Sequence, residues 1–271
     1  MADQNRRTGG RSRNRGATGV SALNSATAAR ARSAAVYSGL RRAIIEQSLV
    51  PGTKLPEDAI GDSFAVSRTL VREALARLAS EGLVEQIKNR GSFVASPSLA
   101  EALQVFDVRR QLERLVVKRL AGALNDLQIK RLRTHVASER RLLGKSVPEA
   151  IRLAGEFHVL LSEFTGNAVL ARYVSEVVSR CSLILALYSR PHSAECGASE
   201  HLQIIEALKE GDAAKARGLM DHHLNAVQAR ALIPVAATGE RGLNDVLATY
   251  AAQATPLAAP KRHSTVLAAE R

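Results

Sequence analysis

Between Ser67 and Val94 the apolar residues change from a helical to an alternating spacing. That switch restricts the folds open to this 271-residue chain more than any other feature. Val71, Ala74, Leu75 and Leu78 fall at i, i+3, i+4 and i+7, one stripe of a helix that Ser67 is placed to cap. Arg68, Thr69 and Arg72 share a neighbouring sector at the N-terminal end of that helix. After Gly82 the pattern alternates: Leu83, Val84 and Ile87, then Phe93 and Val94, with the polar turn Lys88-Asn89-Arg90-Gly91 between them. Two short alternating runs around such a turn predict a hairpin. Upstream, Val36, Leu40, Ile44 and Ile45 predict a helix over about 35–48. Pro51-Gly52-Thr53 reads as a turn, and a short helix follows Pro56 with Ala59, Ile60 and Phe64.

Three helices and a hairpin, with a short turn before the third helix, form a winged helix-turn-helix, here over residues 34–97. Its third helix packs by one stripe and presents Arg68, Thr69 and Arg72 to a major groove. A guanidinium fork reaches guanine O6 and N7 or grips a phosphate. Arg90 at the hairpin tip is placed to meet the adjacent backbone or minor groove, and Gly91 permits close approach.

These residues carry a resemblance. A-V-S-R-T-L-V-R-E-A-L (Ala65–Leu75), R-L-A-S-E-G-L-V (Arg77–Val84) and N-R-G-S-F-V (Asn89–Val94) resemble the DNA-binding domain of the GntR family of bacterial transcription regulators. Pro51-Gly52 and Leu55 match that family's usual turn. The resemblance covers about residues 35–96 and implies operator contacts by Arg68, Thr69 and Arg72 and wing contacts by Arg90 and Gly91. Leu70 replaces the usual proline, and Asp58 stands where many members carry an arginine.

From Ser98 to about residue 232 the pattern is helical throughout. Ser98 is placed to cap a helix to about 122, and Asn125 with Gln128 a second that ends near Gly144. Ser146-Val147-Pro148-Glu149 opens a third as a capping box. Thr165-Gly166-Asn167 ends it and begins a fourth, to about 190; a fifth covers about 195–210. Gly211-Asp212 then leads into a sixth, to about 231. Short connections make these an antiparallel six-helix bundle. The whole chain is therefore expected to be mainly α. Residues 1–33 and 233–271 are expected to be disordered, the first an Arg-rich arm and the second an Ala-, Thr- and Pro-rich tail.

Polar residues on apolar faces single out the chemistry of the bundle. His158 shares a face with Ile151, Ala154 and Leu161; His201 with Ile204, Ile205 and Leu208; His223 with Leu219, Met220 and Val227. A lone inward histidine is ordinarily a satisfied core residue, but three in one small bundle favour a divalent metal, Zn or Ni among them, because imidazoles are its commonest neutral ligands. Three protein ligands leave positions for a small molecule. Arg109 and Arg180 also lie among apolar residues, and a buried guanidinium needs an anion. Glu113 at i+4 of Arg109 and Glu176 at i−4 of Arg180 could supply it; a bound carboxylate is the functional alternative.

V-R-R-Q-L-E (Val108–Glu113), E-F-H-V-L-L (Glu156–Leu161), E-H-L-Q-I-I-E-A-L (Glu200–Leu208) and G-D-A-A-K-A-R resemble the FCD effector domain of FadR-type GntR regulators, in its VanR-like, six-helix form. The resemblance implies homodimers that bind short inverted repeats in double-stranded DNA and respond to small carboxylate effectors. It also implies His158, His201 and His223 as metal ligands. The family often adds an acidic ligand four residues before the first histidine, where this chain has Ala154; water, the effector, Asp107 or Asp126 would take its place.

Composition narrows the classes that remain. The net charge is +12, and residues 1–33 hold seven Arg against one Asp, while residues 34–97 are near neutral. That argues against bulk electrostatic binding of nucleic acid as the main mode, and leaves a nonspecific nucleic-acid-binding protein as the alternative. No acid/base pair or nucleophile motif supports a metal-dependent enzyme. Two cysteines make no disulfide framework, and no run is long and apolar enough for a membrane span. The expectation is a cytoplasmic, nucleoid-associated DNA-binding regulator, a repressor rather than an activator, and not an enzyme.

Overall fold

A computed structural model describes residues 16–142, 145–188, 197–231 and 242–253. The winged domain comprises α1 (Gly16–Ile45), α2 (Glu57–Phe64), α3 (Arg68–Ser80), β1 (Val84–Ile87) and β2 (Gly91–Val94). The strands pair antiparallel with Val84 opposite Val94 and Ile87 opposite Gly91. Asn89 and Gly91, at φ +61° and +99°, turn the hairpin. Lys54 adds a bridge to Phe93, so the segment before α2 is stitched to the wing.

The helix-turn-helix corner is tight. Ala65 ends α2 in the left-handed region, φ +52°, and the Val66 amide donates to the Gly61 carbonyl at 2.9 Å. A Cβ on Gly61 would lie 3.1 Å from the Val66 carbonyl oxygen, so any side chain there would push the corner apart by a few tenths of an ångström. Ser67 occupies the N-cap of α3, but its hydroxyl makes no capping bond.

The expected bundle is present as α4 (Leu99–Leu120), α5 (Asp126–Leu142), α6 (Val147–Phe164), α7 (Ala168–Tyr188), α8 (Gly197–Glu210) and α9 (Ala213–Ala231). Several caps form as the spacing predicts. The Ser98 hydroxyl accepts from the Glu101 amide at 3.2 Å, and Asn125 and Gln128 cap each other reciprocally at 2.9 and 3.0 Å. Asn167 and Asp212 accept from the amides three residues on. Ser146 makes no side-chain cap. The end of the fourth helix and the start of the fifth, at 189–196, lie outside the described residues.

Both termini differ from expectation. The arm expected to be disordered over 1–33 is helix from Gly16 onward, because its alanines favour helix without needing an apolar stripe; residues 1–15 lie outside the description. The tail expected to be disordered over 233–271 contains α10 (Leu243–Gln253). Val246, Leu247 and Tyr250 of α10 are buried in the same core as Val36, Leu40, Ile60, Leu75 and Leu83 of the winged domain. The rest of that tail, 232–241 and 254–271, lies outside the described residues.

A buried network fixes α10. Glu46, at the end of α1, accepts hydrogen bonds from the Tyr250 hydroxyl, from Arg42 Nε at 2.8 Å and from Arg152 Nε of α6 at 2.9 Å. A second contact joins the two domains through α7. Arg41 donates to Ser175 and Ser179 at 3.1 and 2.5 Å, and Leu183 is buried in the core of the winged domain.

Candidate nucleic-acid interface and metal centre

The first turn of α3 holds Arg68, Thr69 and Arg72 exposed, opposite the buried stripe of Val71, Ala74, Leu75 and Leu78. Arg72 Nε donates to Glu57 at 2.7 Å, and Arg68 Nε pairs with Asp58. Both acids lie in the first turn of α2, where the helix dipole favours them. At the wing tip Arg90 and Gly91 are exposed, and the Arg90 guanidinium stands 5.8 Å from the Phe93 ring centre. All five residues singled out for DNA contact therefore face outward.

The three histidines come together from α6, α8 and α9. His158, His201 and His223 are 2%, 0% and 3% exposed, and one ring nitrogen of each lies within 4.8 Å of those of the other two. The Nε2 atoms of His158 and His223 are 3.2 Å apart. Phe157 stacks on His201 with ring centres 3.9 Å apart, closing that side with an apolar wall.

Each imidazole is oriented from behind by a carboxylate. His158 Nδ1 meets Glu113 of α4, His201 Nδ1 meets Glu139 of α5 at 2.9 Å, and His223 Nδ1 meets Glu200 of α8 at 2.6 Å. A carboxylate at Nδ1 fixes the proton there and turns the Nε2 lone pair inward, as histidines that ligate metals require. Burial pushes His158 down to about 3 and His201 well below the usual histidine range, so both rings are neutral. Burial alone would raise Glu113, but His158 and Arg109 beside it hold it down at about 2. Burial pushes Glu139 up to about 7, against the smaller opposing pull of His135 and His223.

These residues fit a divalent ion. His201 Nε2 is buried and has no hydrogen-bond partner among the described residues. A neutral nitrogen left so within a folded core calls for a ligand. Glu113, Glu139 and Glu200 behind the three rings supply negative charge on which a cation inside the ring of histidines can draw.

The other sequence expectations are corrected in part. Arg109 is inward and 4% exposed, and its Nε donates to Glu113 at 2.6 Å, the i+4 partner that its spacing offers. Arg180 does not reach the cluster. It lies over Gly82, whose missing side chain leaves room for the guanidinium, donates to the Glu81 carbonyl at 3.2 Å and stands 3.9 Å from Glu101. Its side chain is 38% exposed, and Glu176 is not its ion-pair partner. Asp107 and Asp126, the acids considered for a fourth ligand, are exposed. The carboxylates that do enter the site are second partners of the histidines; Glu139 and Glu200 were not anticipated. Glu139 falls three and seven residues after Val136 and Leu132, which marks its face as inward.

Residues 32–94 match the family model for bacterial regulatory proteins of the gntR family, and residues 104–226 match the FCD domain model. An HTH-type transcriptional regulator in an unstable DNA locus of Streptomyces ambofaciens is 30% identical over 193 residues, 71% of this chain and 81% of that protein. The HTH-type transcriptional repressor RspR of Escherichia coli is 27% identical over 194 residues, 71% of this chain and 85% of its own. A crystal structure of a GntR transcriptional regulator from Rhodococcus sp. RHA1 superposes with a TM-score of 0.65 at 25% identity, over 74% of this chain and 97% of that one. Neither family match reaches α10. No helix among the described residues is long and apolar enough to cross a membrane.

Proposed function

The chain belongs to the GntR family of bacterial regulatory proteins and is a DNA-binding transcription regulator with an FCD domain, and from that premise we propose that it is a metal-containing, effector-responsive repressor. Arg68, Thr69 and Arg72 enter the major groove of a short inverted repeat, and Arg90 and Gly91 meet the flanking backbone. A homodimer supplies the two recognition helices. His158, His201 and His223 hold a divalent ion, Zn or Ni. That ion supplies a doubly charged centre with open positions for a small organic acid. The protein acts in the cytoplasm, and the site binds its ligand without turning it over. The repressor sense rests on the name of the Escherichia coli relative.

The observation that carries the reading is the set of three histidines, each tied at Nδ1 to its own carboxylate while the opposite nitrogens converge. A core that merely tolerated histidines would have no need for a separate carboxylate behind each, two of the three of them buried. Ligand binding shifts repression only if it has a different free energy in the DNA-competent and DNA-incompetent arrangements. Arg109 stays with Glu113 in this proposal, and Arg180 lies outside the effector site.

The deciding experiment selects genomic fragments with the purified chain at about 0.15 M salt, where sequence-independent binding is weakened. Recovery of a few sites with a shared inverted repeat supports the reading. A random smear refutes specific regulation and favours a nonspecific nucleic-acid-binding protein. Metal analysis of the same preparation is expected to find a divalent ion in the parent and none in His201→Ala.

A further inference from the structure

Resting on the recognition helix proposed above, we infer that Glu57 and Asp58 are positioning residues that set base discrimination by holding the two recognition arginines by Nε. The pairs are matched: Glu57 takes Arg72 Nε at 2.7 Å, and Asp58 takes Arg68 Nε. That contact is the one side-chain hydrogen bond of Arg72 among the described residues, so its two Nη groups are left for a ligand. A guanidinium can meet a guanine edge side-on, through Nε and one Nη, or end-on, through both Nη groups. With Nε occupied only the end-on fork remains, and it is the fork that spans guanine O6 and N7. The carboxylate also fixes the plane of a side chain that would otherwise be ordered only on binding.

The same acids act on sequence-independent binding. Two carboxylates beside the recognition helix repel phosphates, which subtracts from affinity for any duplex and leaves affinity for the matched bases. The fold itself has little need of these pairs. The Arg68 and Asp58 side chains are 65% and 63% exposed, Arg72 is 67% exposed, and ion pairs in water contribute little to stability. Their effect therefore belongs to DNA readout.

The test uses the full chain and duplexes with a randomised core, sequenced after selection, alongside titration of a mixed-sequence duplex. Asp58→Ala and Glu57→Ala are expected to bind the mixed duplex more tightly. They are also expected to lose about two- to tenfold of the guanine preference at the positions those arginines read. Asp58→Asn and Glu57→Gln keep an acceptor for Nε, so they should bind the mixed duplex more tightly yet hold most of that preference. Alanine variants with the parent's base preferences, or a parent that selects no guanine at these positions, overturn the inference. A lowered melting temperature with unchanged preferences assigns the acids to helix stability and also overturns it. Arg72→Ala separates the two layers. If it leaves the selected sequences unchanged, the recognition-helix reading fails. If it erases preference while both alanine variants keep theirs, only the role of the acids fails.

Discussion

Glu113 is the residue whose loss should be felt both in stability and at the metal centre. Its two oxygens serve different partners, Arg109 Nε at 2.6 Å and His158 Nδ1, and both partners are buried. Glu113→Ala leaves the Arg109 guanidinium 4% exposed with its anion gone. Stripping one partner from a buried pair costs about 3–5 kcal/mol, a large part of the roughly 5–15 kcal/mol that holds an ordinary domain together. It also frees His158 to choose the other tautomer, and loss of a carboxylate that orients a ligating histidine lowers metal affinity about 10–100-fold. Glu113→Gln should fall between, since the amide still accepts one hydrogen bond. Arg109→Met with Glu113→Leu should recover most of the stability and none of the metal affinity, because an apolar pair replaces the ions while His158 stays unanchored. Urea unfolding followed by far-ultraviolet circular dichroism reads the first quantity, and competition with a chromogenic chelator the second. A loss under about 1 kcal/mol for Glu113→Ala would refute the buried pair. Unchanged metal affinity in the double variant would refute the anchoring role.

Leu247→Ala, at a side chain with no exposure, should cost about 2–5 kcal/mol in urea unfolding, while exposed Asn244→Ala should cost almost nothing; equal values would mean that α10 does not seat in the winged core. Glu46 gives a pH signature. Burial alone would raise it, but hydrogen bonds from Tyr250 and Arg42, with Arg152 adding another, hold its carboxyl below the usual 4.5. A depressed folded-state value stabilises the protein above the unfolded value and loses that effect as pH falls through the folded one. Glu46→Gln should thus be less stable than the parent at neutral pH, with the gap closing in acid; a gap that widens in acid would contradict the network. Arg72→Ala should weaken operator binding in a gel-shift titration and leave metal content untouched.

What the sequence discloses depends on whether a residue's role is local. The α3 stripe, the hairpin turn and the Asn125/Gln128 capping box are decided within a few residues, and all appear where spacing puts them. The inward histidines are legible for the same reason, since each interrupts an apolar face. Their carboxylates are harder, because a buried glutamate reads as a solvated one until the partner ring is known. Arg180 shows the limit of a helical wheel. On α7, Cys181 and Ile184 turn into the bundle while Leu183 enters the winged core, and no periodicity says which neighbour a given sector meets. The signal for α10 was present in Leu243, Val246, Leu247 and Tyr250 at i, i+3, i+4 and i+7. Composition concealed it, because an Ala- and Thr-rich segment looks like a tail until its core is found elsewhere.

The position of α10 has a consequence for the order in which the molecule is made. Val94 completes the wing, yet Val246, Leu247 and Tyr250, which close the same core, follow about 150 residues later. At about 5–20 residues per second the ribosome needs roughly 8–30 s to cover that interval. During that time Val36, Leu40 and Ile60 lack part of their cover. The core of the domain that reads DNA is thus begun before the bundle and closed after it. A chain that stops before Leu243 therefore carries the recognition arginines on a core that lacks Val246, Leu247 and Tyr250.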